Sequence, residues 1–215
     1  MKLEDFASEE LKNETKQALS DAKDALKNLD VKEEMKATEK YLNTFIKNPI
    51  EGIRQSVALG DKNFTMAIVL NLIWIIVRGV RQLVNVIRFS HISFTTIFTE
   101  AVASTLGVIV LSATIYFVSK EKKKTIKDLL CIITIARLPI IIFAVIQLLT
   151  IISQDVTRIL SPFSLMATAL SLIFIFFAIK GIENENDDNT LTYFIKSYGL
   201  YLIVRFLMSF LNMTI

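Results

Sequence analysis

The chain has almost nothing with which to cross-link or metal-staple a fold. Its 215 residues include one cysteine, Cys131, and one histidine, His91. A lone thiol excludes a disulfide framework, and one thiol with one imidazole excludes a zinc cage built by this chain alone. Six glycines and three prolines are too few for a collagen-like fibre. No stretch matches G-x-S-x-G, H-E-x-x-H, a Walker loop or a dinucleotide fingerprint. The long apolar runs after Lys62 contain no aspartate, so the pair an aspartyl intramembrane protease needs is missing. His91 has no evident nucleophile beside it. The residues up to Lys62 also lack the apolar core of a cleavable signal peptide. No enzyme, cofactor or metal is expected.

What the chain does have is apolar mass, unevenly placed. Hydrophobic residues make up 53% and charged residues 21%, with a mean hydropathy of +0.50. Positions 1–62 hold 13 of the 21 acidic residues, against 11 Lys/Arg, and long apolar runs fill the rest. That segregation excludes a soluble enzyme domain and a disordered chain. It predicts an all-α protein of the cell membrane, a polytopic bundle preceded by cytoplasmic amphipathic helices. About 20 residues cross the hydrocarbon core, and in lipid an open sheet would leave backbone groups unpaired. Five spans are expected, at 64–86, 98–118, 129–152, 162–179 and 191–213. The chain then divides into a cytoplasmic helical region, 1–47, and a membrane domain, 48–215.

In the first region Phe6, Leu11, Ala18, Leu19, Ala22, Leu26 and Leu29 recur at helical spacing, a stripe suited to packing. Asp30-Val31-Lys32-Glu33 has the form of a capping box before a helix with Met35, Leu42, Phe45 and Ile46 on one side. Asn48-Pro49-Ile50-Glu51 marks another start, with Asn as cap, Pro in the first turn and Glu near the positive end of the dipole. That short helix presents Ile50, Ile53 and Val57, ends at Gly60, and is expected to lie in the membrane surface. Ser161-Pro162 is expected to start the fourth span.

Lysine and arginine set the orientation. Lys120, Lys122, Lys123, Lys124 and Lys127 crowd the loop after the second span, which puts that loop inside, where it can contact inner-leaflet lipid. The N-terminus is then cytoplasmic and, after five crossings, the C-terminus lies outside. The other inner loop, Glu183 to Asn189, is acidic and reads as a solvated connector. It lacks the glycine and final glutamate of an EF-hand. Nucleic acid is not an expected partner, because the soluble region is slightly acidic.

Ionisable residues in spans are costly and usually face a bundle interior. Arg78 and Arg205 each lie roughly 21 Å along their spans from the inner edge, and Glu100 enters from the outside. With Arg81 they form an outer-slab polar cluster: Arg78, Arg81, Glu100 and Arg205. Asn71, Arg78 and Asn85 line one side of the first span, and Trp74 shares their arc. Two readings stay open. One is a cationic cavity that binds an anion or a lipid headgroup. The other has the arginines snorkelling outward while Glu100 ties helices together. Arg137, roughly 12 Å from the inner edge, stands apart. With Pro139 it marks a kink. Gly107, Ala101, Ala103, Ser104 and Ala113 suit close packing of the second span, and Cys131 reads as apolar filler.

The Asn48-Pro49 helix, the lysine-rich loop, the run Ala136-Arg137-Leu138-Pro139 and the five spans together resemble the bacterial branch of the Yip (Ypt/Rab-interacting) membrane protein family, over about residues 48–215. The resemblance implies a non-enzymatic scaffold or accessory subunit. Its partner would be another membrane complex, such as an ABC-type exporter that protects against toxic peptides. Many bacterial relatives carry a zinc ribbon where this chain has helices. The rival expectation is a small transporter or a lipid- or anion-binding protein that uses the arginines.

Overall fold

A computed structural model of the chain describes residues 31–88, 94–119, 124–151, 154–183 and 187–210, with 13, 16, 17, 20, 21, 23 and 24 of the preceding region. Among the described residues all regular structure is helical. The helices are α1 (Val31–Lys47), α2 (Pro49–Leu59), α3 (Phe64–Arg88), α4 (Phe94–Val118), α5 (Ile126–Ala136), α6 (Leu138–Gln147), α7 (Gln154–Glu183) and α8 (Asp187–Phe210). Short 3-10 turns, Gly60–Asn63 and Leu148–Ile151, follow α2 and α6. Two stretches are long and apolar enough to cross a membrane, Pro49–Val84 and Arg158–Glu183, and the bent pair α5–α6 makes a third if taken as one span. The stripe from Phe6 to Leu29 and the cap expected at Asp30 lie outside the described residues.

The bundle is arranged around α5. Cys131, Ile132, Ile133, Ile135 and Ala136 are all fully buried, and α2, α3, α4 and α7 pack around them. A helix enclosed on every side needs its polar ends satisfied nearby. At its start Thr125 and Asp128 form a reciprocal capping box, with the Thr125 hydroxyl accepting from the Asp128 N–H. The other Asp128 oxygen accepts from the Asp61 N–H at 2.7 Å, so one carboxylate joins α5 to the turn before α3. Gly60 makes that contact possible. Its φ is +53°, and a Cβ there would collide with the Asp128 carboxylate.

Two local expectations are corrected. Asn48 does cap α2, accepting from the Glu51 N–H at 3.3 Å, with Pro49 in the first turn. Yet Ile53 and Val57 turn into the bundle, against α5 and α7, rather than onto a membrane surface. The helix continues through the 3-10 turn into α3, so its apolar stripe meets its own core first. Pro162 is not a helix start either, since α7 begins at Gln154 and passes through it. A proline there removes only the bond to the carbonyl of Arg158, and Arg158, Ser161 and Pro162 are all exposed. Polar surroundings can satisfy that carbonyl.

Part of the apolar side of α1 packs on the bundle, while Ile46 is 63% exposed. The ring of Phe45 meets Phe174 of α7 edge-on at 5.3 Å, and the Tyr41 hydroxyl donates to the Gly52 carbonyl at 2.6 Å. Burial pushes the Tyr41 phenol above its ordinary range, with a weaker opposing pull from a hydrogen bond to Ser56. Along the α7–α8 seam, Phe176, Phe194, Tyr198 and Tyr201 form a run of ring contacts 5.5–5.9 Å between centroids. Elsewhere the surface is unusually apolar: Ile76, Leu165 and Phe206 are all more than half exposed. Water would not tolerate so many large apolar side chains on one small bundle.

Gly60→Ala is expected to cost about 2 kcal/mol or more, because it strains the left-handed backbone and displaces Asp128. Thr125→Ala should cost about 1 kcal/mol, the usual value of a lost cap. Unfolding titrations in mild detergent check both. Equal stability of Gly60→Ala and the parent chain would show that the turn does not depend on this glycine.

Candidate functional site

The site lies where the central helix ends. Arg137 sits between α5 and α6 with φ −88° and ψ 3°, and the two helices are bent by 48° there. Its N–H donates to the carbonyls of Ile133 and Thr134, and its own carbonyl accepts from the N–H groups of Ile140 and Ile141. Pro139 lacks an N–H, so it fits the first turn of α6 without loss. The kink expected from Arg137 and Pro139 is thus a full break with its backbone satisfied. Beyond it α6 packs on α3 and α7, which moves the chain off the bundle centre and leaves Arg137 at the turning point.

Two guanidinium groups meet one indole at that point. Arg78 of α3 folds back one turn, as helical side chains lean toward the N-terminus, and its guanidinium lies 4.9 Å from the centre of the Trp74 ring. Arg137 reaches the same ring at 5.7 Å. From α8, Tyr198, Tyr201 and Arg205 follow one another along a single stripe. Among the described residues Tyr201, Arg78, Arg205 and Tyr198 lie within electrostatic reach of Arg137. Tyr201 lies against Gly107 of α4, its hydroxyl 3.5 Å from where a Cβ would stand, an ordinary contact distance. Trp74 itself is buried, and its indole N–H has no hydrogen-bond partner in the structure.

Arg137, placed apart on depth alone, meets Arg78 at the Trp74 ring. A rise per residue locates only a Cα, and two long side chains aimed at one indole close the remaining gap. Arg81 is directed elsewhere, donating to Gln147 Oε1 of α6 at 2.8 Å. Glu100 belongs to α4, but its side chain lies outside the described residues, as do those of Asn85 and Arg88. Asn71, on the same side of α3 as Arg78, donates to the Ala67 carbonyl and to Thr134 Oγ1, each at 2.9 Å.

At the opposite end, the lysines have protein partners. Lys124 Nζ donates to the Val57 carbonyl at 2.8 Å. Lys127 pairs with Asp21 at 2.8 Å and lies 4.7 Å from the centre of the Phe64 ring. The hydrogen bond from Asp21 raises Lys127 above the ordinary ammonium range, against the smaller effect of its burial. Lys120, Lys122 and Lys123 lie outside the described residues, as does His91. Among the described residues no group of three His, Cys, Asp or Glu side chains could hold a metal.

Sequence reasoning missed Trp74 as the platform of the site. The signal was available in the four-residue spacing of Trp74 and Arg78 and in the run Tyr198, Tyr201, Arg205. The part Arg137 plays was not visible, because it depends on the direction of the break.

The Asn71–Thr134 bridge that holds α3 against α5 below the site should show a coupling of about 1 kcal/mol in a double-mutant cycle of Asn71→Leu and Thr134→Val. Additive effects would mean that the bridge does not position the platform. Compared with known proteins, the chain matches no family model, curated protein or solved structure at a significant level, so the chemistry of the site carries the functional argument.

Proposed function

We propose that this chain is a multi-pass membrane protein that binds an anionic group at the Arg78–Arg137–Arg205 cluster. The carrying observation is the approach of two guanidinium groups, Arg78 of α3 at 4.9 Å and Arg137 between α5 and α6 at 5.7 Å, to one buried indole, with Arg205 of α8 among the charges that act on Arg137. Like charges in a poorly solvated site repel, and such an arrangement favours an anion bound between them. Flat guanidinium groups suit phosphate or carboxylate through paired N–H donors. The positive end of the α6 dipole, next to Arg137, adds to the attraction.

Five crossings with an inner N-terminus and an outer C-terminus complete the reading. In support, α3 and α4 each have 25 residues, α7 has 30 and α8 has 24, all long enough to cross. The 48° bend of α5–α6 falls far short of the reversal a re-entrant hairpin requires. The adaptor role implied by the resemblance finds less support, because α1 turns Phe45 and Tyr41 to the bundle and leaves Ile46 as its exposed large apolar side chain.

The cluster should show the cost of a site kept for function. In uncharged detergent without added anions, Arg137→Gln is expected to raise stability by about 1 kcal/mol, since it relieves repulsion and desolvation. A destabilised variant would make Arg137 a structural residue and overturn the anion reading. For the topology, Cys131 is fully buried, so cysteines introduced at positions 2 and 215 become the reporters. An impermeant maleimide should label only position 215 from outside intact cells. Labelling of both ends from one side would rule out five crossings.

A further inference from the structure

At the end of the bundle opposite the arginine cluster, the start of α5 is tied to a residue 106 positions away. Lys127 Nζ donates to the Asp21 carboxylate at 2.8 Å and lies 4.7 Å from the centre of the Phe64 ring. Of the seven described residues before α1, six are exposed and Asp21 alone is half-buried. Asp21 is thus the described residue through which the N-terminal region meets the bundle. The charges on the two sides are complementary. Residues 1–30 hold eight acidic residues against five lysines, and residues 119–128 hold five lysines against Glu121 and Asp128.

We infer that the N-terminal region is an acidic strap clipped to the basic start of α5, and that an anionic phospholipid surface competes for the same lysines and releases it. The Lys127 and Asp21 side chains are 27% and 37% exposed, so the pair is open to exchange. A single pair this exposed is a weak tie. Taken as one crossing, α5 and α6 put the lysines around the start of α5 at a membrane face. There the lysines act together on negative headgroups, while the same surface repels the acidic region. On a zwitterionic surface neither force acts, and the strap stays. Lys124 is bound to the Val57 carbonyl, which leaves Lys127 as the described lysine of this loop whose anionic partner can be exchanged. A headgroup phosphate takes the place of the Asp21 carboxylate. The Thr125–Asp128 capping box and the bond to the Asp61 N–H survive the exchange, because neither uses Lys127.

The full chain carries spin labels at two exposed, uncharged positions, Gln17→Cys in the strap and Ala58→Cys on α2, while Cys131 is fully buried and stays unlabelled. Pulsed electron spin resonance measures their separation in nanodiscs of phosphatidylcholine with rising fractions of phosphatidylglycerol. A narrow, short population is expected in pure phosphatidylcholine, giving way to a broad, longer one as phosphatidylglycerol rises. Asp21→Asn should move the half-point to about threefold less phosphatidylglycerol, the loss expected for one partly exposed pair. Asp24→Asn makes the same change of charge at an exposed position one turn on, and should leave the half-point in place. Equal half-points in these two variants would overturn the clip, because overall acidity would then govern the response. One unchanged separation in all discs would overturn release by lipid, and a broad separation already in pure phosphatidylcholine would overturn the strap itself.

Discussion

Enclosing one helix on all sides is the constraint from which the other features follow. From Cys131 to Ala136 α5 has no lipid-facing or water-facing side, so its length is limited by what can be done with its two ends. At the lower end Asp128 answers the problem twice, capping its own helix through Thr125 and accepting from the Asp61 N–H. That second bond fixes the height of α3 relative to α5, and Gly60 is the residue that lets the two chains come close enough. Asn71 and Thr134 repeat the tie higher up. The register between α3 and α5 is therefore set at two points, and Trp74 arrives beside Arg137 as a consequence of that register.

The upper end is answered differently. Instead of continuing, the helix breaks at Arg137 and α6 leaves for the wall of the bundle. The break satisfies the backbone but introduces a cation next to another. The two guanidinium groups lie 4.9 and 5.7 Å from one ring centre, so they are at most about 11 Å apart. At an effective dielectric of about 20 that separation costs at least about 1.5 kcal/mol, before Arg205 is counted. A cation–π contact returns about 1–2 kcal/mol where water is excluded. Stacking on Trp74 therefore roughly offsets the repulsion between these two guanidinium groups.

Much of this architecture was legible in the chain, for reasons that differ from residue to residue. Apolar periodicity and bilayer-length runs identify helices because both are local properties. The Asn48-Pro49 start could be read because a cap uses neighbours three residues away. The equivalent signal at Thr125-Ile126-Lys127-Asp128 was passed over, hidden by the lysine cluster in front of it. Pro162 misled because a proline starts helices more often than it continues them, and only exposure of the Arg158 carbonyl region makes continuation cheap. Arg137 shows the deeper limit. Its distance along a span can be counted from sequence, but the direction in which its side chain meets α3 and α8 is set by a bend between two packed helices, which no local pattern encodes.

The two ends of α5 also divide the labour between stability and binding. Below, three charged groups at the start of α5 are tied to neighbours: Asp128 accepts from the Asp61 N–H, Lys124 donates to the Val57 carbonyl and Lys127 pairs with Asp21. α1 adds to this end by stapling Phe45 and Tyr41 to the bundle. Above, two guanidinium groups share one indole whose N–H has no acceptor. The bonds of the lower end set the register that brings these groups together, so the well-bonded half of the helix holds the other half in place.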